Sequence, residues 1–129
     1  NSMPYTGLDV FDRAIAIIDE LSDTGVIVES QIKEYKYRAP FLLDLWQQEI
    51  AGIENLTDVE PYIDLEQELI VSDKGCASAP YYLAMHFAAS DQNSEIKEDC
   101  KHMYEKLKRE ARLPINPVKI TDVYSNTNI

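Results

Sequence analysis

Ile32, Tyr35, Ala39, Leu42, Trp46, Ile50 and Ile53 step along the chain by 3, 4, 3, 4, 4 and 3 residues. Apolar positions in that phase demand a long amphipathic helix, because a half-buried strand would alternate every second residue. Pro40 falls inside the run. Proline removes a backbone donor and crowds the carbonyl four residues earlier, here that of Lys36. The phase continues across it, so the pattern predicts one kinked helix rather than two. Gly52 supplies a C-terminal signal.

Three further helices are predicted around it. Thr6 is an N-cap, and Asp9 stands where an acid favours a helix start. Leu8, Phe11, Ile15 and Ile18 then form a stripe, widened by Ala14 and Leu21, which ends at Ser22-Asp23-Thr24-Gly25. The most apolar stretch is Ala79 to Ala89, with Pro80 tolerated in a first turn. A helix apolar on most sides belongs at the centre of a bundle, and His86 within it reads as a hydrogen-bonded core histidine. Asp91 to Ser94 supplies a turn and the next cap. From Glu95 to Arg112, a narrow stripe of Ile96, Cys100, Met103, Leu107 and Ala111 predicts the last helix, with Glu105–Arg109 and Lys106–Glu110 as i,i+4 pairs.

The segment Glu54 to Lys74 is broken by Pro61. Its Ile63, Leu65, Leu69 and Val71 fit a short helix or an extended run, and Asp73-Lys74-Gly75 reads as a turn. Pro114 and Pro117 end the last helix. Beyond them the chain reads as an extended arm. The expected fold is all-α: a compact bundle of four to five helices over residues 3–113, with an extended C-terminal arm over 114–129. Asn1-Ser2 reads as a cloning remnant, with Met3 the natural start.

A length of 129 residues suits one domain with one core. The longest apolar run is too short to span a bilayer, and no charged leader precedes an apolar one, so neither membrane nor secretion is expected. Two cysteines make no disulfide framework, and Cys76 and Cys100 are expected as unpaired thiols in a reducing cytoplasm. The chain has 23 acids against 12 basic residues, a formal charge of -11. That balance argues against gripping nucleic acid, whose phosphates are held by Lys and Arg. From Ala39 to Asp73 there is no Lys or Arg at all, against nine acids. Such asymmetry predicts one acidic side and one mixed side.

Cys76, His86, Cys100 and His102 match no zinc-ligand spacing, and Cys100 and His102 point to opposite sides of a helix. Cys100 lies on an apolar stripe, where a thiol is buried and inert. Glycine is too sparse for a phosphate loop. Glu95, Glu98 and Asp99 leave open an alternative, a helical metal-dependent nucleotide hydrolase, although acids in a first turn also serve the helix dipole. No cofactor and no metal are expected. Tyr37 lies off the core stripe of its helix and is a candidate for a partner surface.

The run Tyr37-Arg38-Ala39-Pro40-Phe41-Leu42-Leu43-Asp44-Leu45-Trp46, the acidic segment after it, Tyr81-Tyr82-Leu83-Ala84-Met85-His86-Phe87, the charged last helix and Ile120-Thr121-Asp122-Val123-Tyr124 follow one another in an order that carries a resemblance. The chain resembles small structural proteins of the head-to-tail region of tailed phages and prophages of Gram-positive bacteria, which act as head–tail connectors or adaptors. The resemblance implies an all-α domain without catalysis that forms a ring with copies of itself. Portal and tail-completion proteins are the implied partners, and the host cytoplasm and then the virion are the implied locations. A small phage assembly chaperone or regulatory protein is the related alternative. The family's short motifs fix no binding residue.

From the residues themselves, the interaction candidates are Tyr37, the acids Asp58, Glu60, Asp64, Glu66 and Glu68, and Val118, Ile120, Val123 and Tyr124 of the arm. The arm would add to a neighbouring subunit as a strand or in a groove. The segment from Asp58 to Lys74 is longer and more acidic than a compact bundle connection needs, which predicts a loop that orders on docking. In a ring, an acidic lumen supplied by residues 39–73 would repel DNA phosphate.

Overall fold

In a computed structural model, residues 5–22 and 29–112 are described. They form an all-α fold with helices α1 (Gly7–Leu21), α2 (Glu29–Ile53), α3 (Asp73–Cys76), α4 (Ala79–Ser90) and α5 (Ser94–Arg112). Residues 1–2, expected as a cloning remnant, the predicted turn at 23–25 and the predicted arm, with Val118, Ile120, Val123 and Tyr124, lie outside the described residues.

α1 starts as its sequence predicts. Thr6 Oγ1 accepts from the Asp9 N–H at 3.4 Å, and Asp9 Oδ2 accepts from the Thr6 N–H at 3.2 Å, a reciprocal capping box. Its buried face is Gly7, Val10, Phe11, Ala14 and Ile18. The predicted stripe is therefore rotated: Val10 is inside, Ile15 is half-buried, and Leu8 and Leu21 are exposed. The reason is a second cover on the first turn. The Leu8 N–H donates to the Leu65 carbonyl at 2.9 Å, so the segment after α2 closes over Gly7.

α2 is one helix through Pro40, and Tyr35, Ala39, Leu42, Trp46 and Ile50 are buried in the predicted phase. Leu43, Gln47 and Ala51 widen the stripe because the segment after the helix packs on that side. Gly52 is not the stop. Asn55, at φ 60°, takes the left-handed position, with Leu56 N–H donating to the Ala51 carbonyl at 2.8 Å and Asn55 N–H to that of Gly52 at 3.3 Å. These are the two bonds of a Schellman ending.

α4 is central as predicted and packs on α1, α2 and α5. Phe87 stacks on Tyr35 with centroids 4.3 Å apart and meets Phe11 edge-on at 6.1 Å. His86 departs from its expected role. It is half-buried, 4.5 Å from the ring of Tyr82, and burial, then Arg38 and Lys97, push its pKa below the usual 6.5. Within the predicted turn, Asn93 caps α5: its Oδ1 accepts from the Ile96 N–H at 3.2 Å. Ile96, Cys100 and Tyr104 make the buried stripe, while Met103 and Leu107 are half-buried. Tyr104 turns inward because its hydroxyl donates to Glu49 at 2.7 Å. Lys108 joins Glu49 on α2 at 3.1 Å, which ties α5 down, and Glu105 on its own helix at 3.6 Å.

The segment 54–72 is neither helix nor strand, and the Asp73-Lys74-Gly75 turn is a one-turn helix capped by Ser72, whose Oγ accepts from Gly75 N–H at 3.0 Å. Nor does the segment await a partner to acquire a path. Tyr62, Leu65, Leu69 and Val71 are buried, and two side chains of α2, with that of Glu54 just past its end, serve the backbone. Asp44 accepts from the Tyr62 N–H at 2.8 Å, Gln47 from that of Ile70 at 3.0 Å and Glu54 from that of Ser72 at 3.0 Å. A loop whose donors are matched this closely by fixed acceptors is part of the fold.

Candidate docking face

Tyr37, Phe41 and Leu45 are spaced four residues apart, so they line one face of α2. That face lies off the buried stripe of the helix. Tyr37 is 88% exposed, Phe41 66% and Leu45 45%. Ile63, on the neighbouring segment, is 77% exposed. Scattered exposed apolar side chains are ordinary, whereas a row of large ones is what makes this face a candidate for docking.

Beside this row runs an open groove of about 360 Å³. Leu8, Tyr37, Pro40, Ile63 and Leu65 form its apolar walls. Lys36 stands on the helix side, and Asp64 and Glu66 stand on the loop side. The local sequence explains its shape. Pro40 has no N–H, so the carbonyl of Lys36 lacks the donor that residue 40 would otherwise supply. The loop wall is fixed by short bonds: Gln67 Oε1 accepts from the N–H groups of Ile63 and Asp64 at 2.7 and 2.8 Å, and Asp64 Oδ1 from that of Glu66 at 2.9 Å. This keeps Ile63 pointing outward while Tyr62 and Leu65 point in.

The predicted site residues divide clearly. Tyr37, Asp64 and Glu66 meet at the groove. Asp58, Glu60 and Glu68 are exposed on the same loop, Asp58 with a left-handed φ of 59°, and do not line it. Phe41, Leu45, Ile63 and Leu8 were not among the candidates. The i,i+4 row from Tyr37 signalled the first two, and the groove's closure onto α1 explains Leu8.

The catalytic alternatives find other surroundings. Glu95, Glu98 and Asp99 are exposed, with Asp99 beside Glu20 at the rim of a second cavity of about 190 Å³ between α1, α4 and α5. Among the described residues no group of three His, Cys, Asp or Glu side chains converges in a way that could hold a metal ion. Both cysteines are free and buried, and burial pushes the Cys76 thiol up to about 12 and that of Cys100 to about 11, which keeps them protonated. Tyr82 and Tyr104 are likewise pushed up, by burial first and by Glu49 after it. No helix among the described residues is long and apolar enough to cross a membrane.

Comparison with family models, with curated proteins and with solved structures finds no match to this chain.

Proposed function

We propose that this chain is a non-enzymatic assembly protein that works through protein–protein contacts, as a head–tail connector subunit of a tailed phage or prophage. The observation that carries the contact reading is the exposed row of Tyr37, Phe41 and Leu45 with Ile63 beside it. The step from contact to connector rests on the sequence resemblance. The acidic block adds to it. Residues 54–73 hold seven acids and no Lys or Arg, and such a surface turned to the lumen of a ring would let DNA pass without sticking. In this reading the chain acts in the host cytoplasm and then in the virion, with copies of itself, the portal and tail-completion proteins as partners.

The test is to mix the purified chain with the portal ring encoded in the same genome, and to examine the product by sedimentation and electron microscopy. A ring of copies seated on the portal is expected, and Phe41→Ser with Ile63→Ser should abolish it without altering the helical circular dichroism. A chain that neither associates with itself nor binds the portal overturns the reading. A soluble one-to-one complex with another assembly protein, absent from purified particles, replaces the connector with the assembly chaperone.

A further inference from the structure

The groove between α2 and the loop is apolar along its walls and carries charge of both signs at its edges. Its occupant must therefore bring apolar side chains, at least one cation for Asp64 and Glu66, and an anion or acceptor for Lys36. One stretch of this chain has that composition. Residues 113–124, Leu-Pro-Ile-Asn-Pro-Val-Lys-Ile-Thr-Asp-Val-Tyr, carry six aliphatic or aromatic side chains, one lysine and one aspartate. They follow directly on α5, which ends at Arg112.

The charge of the whole chain is split in the same sense. Residues 106–120 hold five basic side chains (Lys106, Lys108, Arg109, Arg112 and Lys119) against the single acid Glu110, a formal +4. Residues 54–73 hold seven acids without a base, a formal -7. Lys108 already pairs with Glu49, but Lys106 and Arg109 are exposed. Two stretches of opposite sign in one chain attract each other across copies even though the net charge is -11.

We propose that the groove is the seat for residues 113–124 of a second copy, with Lys119 toward Asp64 and Glu66 and Asp122 toward Lys36. The inference rests on the assembly reading above and deepens it, since it names the contact between copies. Each copy gives one tail and receives one. Such a contact is heterologous, and it closes into a ring or runs on as a filament according to the rotation between copies.

The experiment uses full-length chains in sedimentation velocity over a concentration series. One variant carries a damaged groove, Tyr37→Ser with Ile63→Ser, both highly exposed and so harmless to the core. The other carries a damaged tail, Val118→Ser with Ile120→Ser. Wild type is expected to associate, and each variant alone to associate at least about tenfold more weakly, which is ~1.4 kcal/mol. An equimolar mixture should recover dimers and nothing larger, because one partner keeps its groove and the other its tail. A tail variant that assembles like wild type overturns the inference while leaving the assembly reading intact. A mixture that recovers nothing also overturns it. A wild-type chain that stays monomeric alone but binds the portal, as it would if the tail lay on its own groove, overturns the inference only, and a chain that does neither overturns both.

Discussion

The hydroxyl of Tyr62 joins the start of α1 to the loop that covers it. It accepts from the Gly7 N–H at 2.7 Å and donates to the Gln67 carbonyl at 2.7 Å, with the Leu65 carbonyl at 3.3 Å. Burial raises its pKa to about 12, so it stays a donor across the physiological range. Tyr62→Phe leaves polar backbone groups short of a partner in a buried place, a loss of about 1–3 kcal/mol. Gly7 is the other half of this contact. A Cβ there would run into the Tyr62 hydroxyl and approach Leu43 Cδ1 to 2.9 Å. Gly7→Ala is therefore destabilising, but less so once Tyr62→Phe has removed the hydroxyl. Urea unfolding of both single variants and the double variant checks this, and a coupling between residues in contact is the expected outcome. Strictly additive losses would show that the hydroxyl does not set the spacing. Because this pair holds the loop wall of the groove, its loss should also weaken any contact made there.

At the scale of elements, what the sequence made legible was periodic. The α2 stripe, the central place of α4 and the Thr6–Asp9 cap all follow from local spacing, which depends on few distant contacts. The segment 54–72 was not legible in this way. Its order comes from Asp44 and Gln47 on α2 and from Glu54 just past the helix end, and a hydrogen bond across 18 or 23 residues leaves no period in a sequence. The same holds for Tyr104, which enters the core through Glu49 on α2. The groove was half visible: Tyr37 stood out as off-stripe, whereas Ile63 looks like a core residue until the loop's path is known. Helix ends give the clearest test at this scale. α4 closes on Gln92, at φ 59°, with Asn93 N–H donating to the Ala88 carbonyl at 2.9 Å and Gln92 N–H to that of Ala89 at 3.1 Å. The left-handed position suits glycine, and a non-glycine residue there costs about 1 kcal/mol, part of which glycine's freedom in the unfolded chain offsets. Gln92→Gly should raise the melting temperature by a few degrees and Gln92→Ala should leave it unchanged. A glycine variant that melts lower would show that the glutamine side chain contributes a contact of its own.

Over the whole molecule the decisive quantity is the distribution of charge. A formal -11 on 129 residues means self-repulsion, and it is concentrated where no Lys or Arg lies between Ala39 and Asp73. The fold tolerates this by using part of the block as hydrogen-bond acceptors. Asp44, Glu49, Glu54 and Asp64 each hold a donor. Glu60, Glu66 and Glu68 are exposed and add mainly to the field. Added salt screens such a field over about 10 Å at 0.1 M, so it should stabilise this chain rather than weaken it. The few ion pairs at the surface lose far less, since exposed pairs contribute little in the first place. The expected result is a melting temperature that rises between low and moderate sodium chloride. Glu60→Gln, Glu66→Gln and Glu68→Gln together should raise it at low salt and flatten its rise. If the triple variant kept the full salt dependence, the repulsion would lie elsewhere, and a surface kept acidic at a cost in stability would no longer point to a role outside folding. If the dependence flattens, the block is a charge that the fold carries without needing it, as a surface that meets a cationic tail or lines a passage for DNA would.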